Sequence, residues 1–323
     1  MTTKIIWGMT GNSHDASIAG FTHDGKTLTP KWAKLANNSD ITEELIQGAI
    51  ENVGYPDQVV WYEKPLLKTL RQWRAGQGWL LKENNIKQYL AERNLCDIPI
   101  VYTKHHLSHA AYAYYTQPYA DCAIICLDSI GEFETLTMWK GDKDWRLTKV
   151  YSQNYPHSLG LFYSAMVQRA GGTPQQDEHL LAALGDPVKG IDSLVPAIYE
   201  DILEIQDTAP FIKMKQNLHK GYKDWRPDLK KFKDRKRIAA ATQSVFEDCI
   251  SHLSSKAVYL TGSPNLALAG GGAMNKRAVD KIRNQWHNVH VPVNPGDPGS
   301  AIGAVLARYN QRVNIDGIWE TKE

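Results

Sequence analysis

The sequence predicts an α/β protein made of two similar halves with a cleft between them, and three observations carry that prediction. A strand, a small polar turn and a second strand occur twice, first at TKIIWG (3–8) with a partner strand from Ala16, then at CAIICLD (122–128) with a strand resuming over Thr135–Trp139. Helical and strand-like periods alternate between and after these hairpins, the order that lays helices on sheets. The length, 323 residues, gives each half room for a core of its own. Apolar residues make up 42% and charged residues 22%, as in ordinary folded domains. The start, MTTKIIWGMTGN, lacks a basic segment followed by an apolar run, so no signal peptide is expected, and no window reaches the roughly 20 apolar residues of a membrane span. Cys96, Cys122, Cys126 and Cys249 form no C-x-x-C and read as reduced thiols of a cytoplasmic protein without membrane partners.

Taken in order, the first hairpin turns at Gly8 and Gly11, with His14 and Asp15 at or just after its tip, and its backbone N–H groups suit an anion. A helix over 41–53 leads to the strand QVVWYEKP, which Pro65 ends. Residues 66–94 read as helical, with Lys68, Arg71, Arg74 and Lys82 on a solvated face and Trp73 and Trp79 turned inward. After IPIVY (98–102) comes KHHLSHA (104–110), where His105 and His109 share one helical face. Asp128 is expected at the C-terminal end of its strand, and two imidazoles with a carboxylate make a divalent metal site. The alternative is a pair of ordinary polar residues on a helix. Gly131 permits a tight turn with Glu132 at its tip. Helices are predicted over 157–171 and 234–258, with irregular, charged and aromatic chain at 187–233 between them. A buried strand, Gly270–Gly272 and a helix starting near Met274 let a nucleotide or phosphate approach the backbone. Asp297 begins a small-residue helix and offers a fourth ligand. Two hairpins, each opening a half, give the layout of the actin, sugar-kinase and heat-shock ATPase class: duplicated RNase H-like lobes, here 1–118 and 119–323, with an interlobe cleft.

The segments HDAS (14–17), YEKPLLK (62–68), HHLSHAA (105–111), LDSIGEFET (127–135), HSLGLFYSA (157–165), LAGGGAMN (268–275) and GDPGSAIGA (296–304) together resemble the NodU/CmcH-type O-carbamoyltransferases. The resemblance implies a metal, iron(II) with manganese or zinc as alternatives, held by His105, His109, Asp128 and Asp297. It implies carbamoyl phosphate and ATP as co-substrates and a carbamoyl-adenylate in the cleft, in contact with Asn12, Ser129, Gly131, Glu132, Gly270, Gly271, Gly272 and Asn275. It places His14 and Asp15 in the catalytic role, His14 being open to a purely structural reading as well. Three departures limit the transfer. KWAKLANNSD (31–40) stands where the family has an acidic, arginine-rich run with a lysine, and EHLLAALG (178–185) keeps Glu178 but has leucine for the family's lysine. The sequence ends at 323, where family members continue into a YrdC-like domain that makes carbamoyl-adenylate, so either a separate protein supplies that step or one cleft does both.

The charge is uneven. Lys213–Arg237 carries eleven Lys/Arg against three Asp, or +8, leaving −6 for the remainder of a chain whose net charge is +2. Lys230, Lys231 and Lys233 with Trp225 suggest a nucleic-acid groove and, as acceptor, the hydroxymethyl group of a base in DNA such as 5-hydroxymethylcytosine. The other readings are a small-molecule or sugar hydroxyl, a tRNA threonylcarbamoyl transferase-like activity, an actin-like ATPase or kinase, and a binding module stapled by metal.

Overall fold

A computed structural model describes residues 2–12, 15–36, 39–185 and 194–320. His14 and, at the start of the irregular 187–233 segment, residues 186–193 lie outside the described residues. The first sheet contains β1 (Lys4–Thr10), β2 (Ser17–His23), β3 (Leu28–Leu35), β4 (Gln58–Trp61) and β5 (Ile100–Tyr102), in the order β3-β2-β1-β4-β5. The second contains β6 (Cys122–Gly131), β7 (Glu134–Gly141) and β8 (Leu147–Asn154), then β11 (Asn265–Ala269) and β12 (Asn288–His290) after a small ribbon of β9 (Leu203–Ile205) and β10 (Ile212–Met214). Its order, β8-β7-β6-β11-β12, repeats that of the first. In both sheets the first three strands pair antiparallel and the last two add in parallel. This duplicated mixed sheet is the RNase H-like pattern, and two copies of it make the actin-like α/β fold.

The helices are α1 (Glu43–Val53), α2 (Pro65–Arg74), α3 (Ile86–Ala91), α4 (His105–Tyr115), α5 (Leu159–Arg169), α6 (Glu178–Leu184), α7 (Leu194–Asp201), α8 (Phe232–Thr261), α9 (Lys276–Ile282) and α10 (Gly299–Tyr309). The strand β6 is apolar on both faces because both are covered. Cys122, Ile124 and Cys126 join a core with α4, α10 and the first sheet, while Ala123, Ile125 and Leu127 join a second core with α5 and α8. Between the sheets, α10 lies on β1 and α4 lies on β6 and β11. The two helices touch backbone to backbone, since a Cβ at Gly303 would sit 1.9 Å from the Ser108 carbonyl oxygen. That crossing holds the start of α4 against the centre of the second sheet. Among the described residues no helix is long and apolar enough to cross a membrane.

Four expectations about local structure need correcting. The helix expected over 66–94 breaks after Arg74, where Gly76 (φ 75°) and Gly78 (φ 97°) take left-handed conformations, and resumes as α3. Arg74 and Lys82 are exposed as expected, but Lys68 and Arg71 are buried, and Trp73 and Trp79 are 57% and 52% exposed. The 187–233 segment is less irregular than expected, holding α7 and the β9–β10 ribbon. The helix after the three glycines starts at Lys276, one 3₁₀ turn (Gly271–Met274) later than expected.

Candidate metal centre

His105 and His109 occupy the first and second turns of α4, so the i, i+4 spacing brings their rings together edge to face, 4.8 Å between centroids. Their Nε2 atoms are 3.0 Å apart. Asp128 reaches them from the second sheet. It does not sit at the strand's end as expected, because β6 continues to Gly131; instead the pairing with β7 shifts between Leu127 and Gly131. Such a break leaves residues off the ladder and re-aims a side chain, and Asp128 Oδ2 comes to 3.1 Å from His105 Nε2. Asp297, in the turn before α10, places Oδ1 at 3.4 Å from both Nε2 atoms. The four donor atoms lie within 4.8 Å of one another.

The residues fit a cation. Ligand atoms held about 2.0–2.2 Å from one metal ion are themselves roughly 3.0–3.5 Å apart, and the His105–His109, His105–Asp128, His105–Asp297 and His109–Asp297 separations of 3.0, 3.1, 3.4 and 3.4 Å fall in that range. Three of the four residues are buried and the fourth is half-buried, so two carboxylates would face two lone pairs with little water to separate them. Burial by itself would lower the pKa of His105, yet the charges of Asp297 and Asp128 push it up to about 9. Burial would raise the Asp128 carboxyl, and the hydrogen bond and charge of His105 hold it well below the usual range. The raised His105 value reports the negative charge of the two carboxylates, and the lowered Asp128 value reports its pairing with His105. Two imidazoles with two carboxylates suit a first-row transition metal better than magnesium.

The surroundings hold this geometry. Ser300 on α10 hydrogen-bonds His109 Nδ1 at 3.0 Å and fixes which nitrogen faces the carboxylates. Gly131 is needed for close approach, since a Cβ there would lie 2.3 Å from His105 Cδ2. Glu132, at φ 59° in the β6–β7 turn, accepts the Lys64 N–H at 2.7 Å, and burial raises its pKa. His106 stays out of the ligand set; its Nδ1 is 3.0 Å from Thr137 Oγ1, and burial holds its pKa down to about 3.

The other sequence-predicted residues are placed as follows. Gly271 brings the glycine turn to the cluster, with its Cβ position 3.5 Å from Asp128 Oδ1, and Gly270 (φ 85°) donates its N–H to the Pro295 carbonyl at 2.7 Å. A Cβ on Gly272 would strike Leu127, 2.4 Å from its Cδ2. Asn275 caps α9 and exchanges amide hydrogen bonds with Gln243, so its side chain is committed to structure. Ser129 accepts from the Ser158 hydroxyl through its carbonyl at 2.6 Å. Asn12 (φ 55°) donates Nδ2 to the Glu83 carbonyl at 2.5 Å, and the carbonyl of Asp15 (φ 64°) accepts from Thr10 Oγ1 at 3.1 Å.

Of the basic segment, Lys230, Lys231 and Lys233 are exposed. Trp225 is not a stacking platform: it is 2% exposed in the second core, and its Nε1–H donates to Asp201 at 2.9 Å. Sequence reasoning missed Ser300, since nothing in its neighbours marks a hydroxyl as a partner for a histidine far away in the chain. It also missed the burial of Glu63, Lys68 and Arg71.

The family described as Carbamoyltransferase N-terminus matches residues 33–306. The chain is 29% identical to an uncharacterised protein of Synechocystis sp., across 95% of this chain and 57% of that protein. It is 26% identical to the nodulation protein NolNO of Sinorhizobium fredii, across 66% of this chain and 32% of that protein. Among solved structures, HypF of T. kodakarensis overlaps 98% of this chain and 48% of its own, with a TM-score of 0.49 at 13% identity. The chain therefore spans between a third and rather more than half of the curated relatives it matches.

Proposed function

From the premise that the chain belongs to the carbamoyltransferase family, through its N-terminal region, we propose that it transfers a carbamoyl group to a hydroxyl acceptor, with His105, His109, Asp128 and Asp297 holding a divalent cation at the reacting centre. One observation carries this: four donor atoms from α4, β6 and the turn before α10 converge within 4.8 Å in a buried pocket. The proposed donors are carbamoyl phosphate and ATP, joined as carbamoyl-adenylate by this chain or by a separate protein. The proposed metal is iron(II), with manganese or zinc as alternatives. When bound, it would supply a positive charge that stabilises a leaving phosphate and a developing oxyanion.

The chain's own residues position the reactants. Asp128 and Asp297 set the charge of the cluster, Ser300 holds the orientation of the His109 ring through Nδ1, and Gly131 lets His105 approach the hairpin. The glycine turn at Gly270–Gly272, which borders Asp128, is the proposed seat of the nucleotide, with Asn12, Ser129 and Glu132 on the two hairpins around it. His14 and Asp15 remain the proposed catalytic pair on the first hairpin. The proposed lobes are 1–118 and 119–323, with α10 reaching back to pack on β1. The finer proposal, a hydroxymethylated base in DNA, retains the exposed Lys230, Lys231 and Lys233 but has lost Trp225, so we place the acceptor at the level of an alcohol.

The test is incubation of the metal-loaded protein with carbamoyl phosphate, ATP and a panel of oligosaccharide, aminoglycoside and hydroxymethylated-DNA alcohols, read by mass spectrometry. The expected result is an acceptor heavier by one carbamoyl group, absent with His109→Ala. Magnesium-dependent ATP hydrolysis that His109→Ala leaves intact, without any such adduct, would favour an actin-like ATPase and count against the proposal.

A further inference from the structure

A second charged cluster forms around α2, apart from the four cation-holding residues. Glu63, Lys68 and Arg71 are 4%, 7% and 9% exposed. Lys68 Nζ donates to Glu63 Oε1 at 2.6 Å and to the Asn12 carbonyl at 3.1 Å. Arg71 Nη1 donates to Gln77 Oε1 at 2.7 Å, and its Nε is buried without a hydrogen-bond partner among the described residues. One carboxylate, Glu63, thus serves two buried cations, and among the described residues no second carboxylate is paired with Arg71. A guanidinium does not escape by losing its proton, and an ion kept from water calls for an opposite charge.

Residues of the opposite half lie within electrostatic reach of Arg71. Tyr155 follows β8 and His219 follows β10; their rings are 5.9 Å apart, edge to face, and Asn217 Nδ2 donates to the Tyr155 hydroxyl at 2.5 Å. Burial and then the nearby Arg71 charge lower the pKa of His219, so the two side chains are within electrostatic reach. His219 Nδ1 is also buried without a partner among the described residues. The cluster adjoins the cleft: the charge of Glu63 acts on both Arg71 and His105, and Lys68 is tied to the first hairpin through Asn12.

We propose that the free Nε of Arg71, with the unpartnered His219 Nδ1 of the other half nearby, is a subsite for a phosphate group of a ligand bound in the cleft, separate from the cation cluster. A planar guanidinium edge donates to two phosphate oxygens at once, and a neutral imidazole protonated on Nδ1 donates to a third. Nε is closed off from solvent, so a ligand reaches it only where the surrounding side chains give way. Choosing phosphate over carboxylate rests on the carbamoyl-transfer reading, whose co-substrates carry phosphate.

The experiment titrates inorganic phosphate into the full chain by calorimetry, with Arg71→Gln, Arg71→Lys, His219→Asn and Asp128→Asn compared after circular dichroism confirms their folding. Loss of a charge-assisted bidentate contact is expected to weaken phosphate at least about tenfold in Arg71→Gln and several-fold in Arg71→Lys. His219→Asn weakens it several-fold and serves in place of Arg71→Gln if that variant misfolds. Asp128→Asn, which cripples the cation cluster, leaves phosphate affinity unchanged. Binding lost in Asp128→Asn but kept in the Arg71 and His219 variants overturns the subsite, as does an absence of phosphate binding to the wild type. Competition by carbamoyl phosphate or by adenosine monophosphate then identifies which co-substrate's phosphate sits there, and competition by neither overturns the assignment to a substrate. The readout needs no turnover, so a chain that binds phosphate through Arg71 yet forms no carbamoylated product sinks the carbamoyl-transfer reading and spares the subsite.

Discussion

The two halves share one strand order but differ at the hairpin that opens each. In the first, β1 and β2 pair without interruption from Lys4↔His23 to Thr10↔Ser17, and the unusual backbone is confined to the loop, at Asn12 and Asp15. In the second, the break lies inside the ladder between Leu127 and Gly131, and the turn beyond it is short. The first arrangement closes a hairpin; the second turns Asp128 toward two histidines on a neighbouring helix. An actin-like half is thus a scaffold whose chemistry lies where its ladder is broken, since a regular ladder sends alternate side chains to two faces that are already filled by core.

The comparison breaks most severely with Asp128→Asn. The side chain keeps its shape and loses its charge, so carbamoyl transfer should fall by at least about a hundredfold while the melting temperature changes little, as measured by product assay and calorimetry. Next come the hairpin glycines. Gly131→Ala forces a methyl into the His105 ring and should destabilise the protein by about 1–3 kcal/mol and lower its metal content, whereas Gly11→Ala, whose Cβ would sit 3.1 Å from Ile41, should cost well under about 1 kcal/mol. Equal effects in chemical denaturation would mean that the second hairpin is no more constrained than the first. Ser300→Ala removes the partner of His109 Nδ1 and should weaken metal binding about tenfold in a competition titration with a chelator, with stability nearly unchanged. Smallest is Trp73→Ala, on the exposed side of α2, expected within about 0.5 kcal/mol of wild type by the same denaturation assay.

What the sequence showed and what it hid divide along the same line. Both hairpins, the histidine helix and the convergence of Asp128 with it were legible, because period, spacing and an apolar run that stops at a carboxylate are local signals. Asp297 was legible as a candidate because a Gly/Pro turn before a small-residue helix marks a place of close packing. The burial of Arg71 was not legible. Its neighbours in sequence are basic and aromatic, and the Tyr155 and His219 that act on it electrostatically come from the other half of the chain. Trp225 misled for a related reason: basic residues alternate around it, but Asp201, which takes its indole N–H, is far away in sequence and draws the ring inward. The break of the 66–94 helix was written in Gly76 and Gly78 and was outweighed by the helical period on either side.

The most direct measurement is the metal stoichiometry of the purified, anaerobically loaded protein by elemental analysis, for wild type, His109→Ala and Asp297→Asn. The account predicts one divalent first-row ion per chain in the wild type and essentially none in either variant. Full occupancy in the variants, or a folded wild type that takes up no metal under any loading condition, would contradict it.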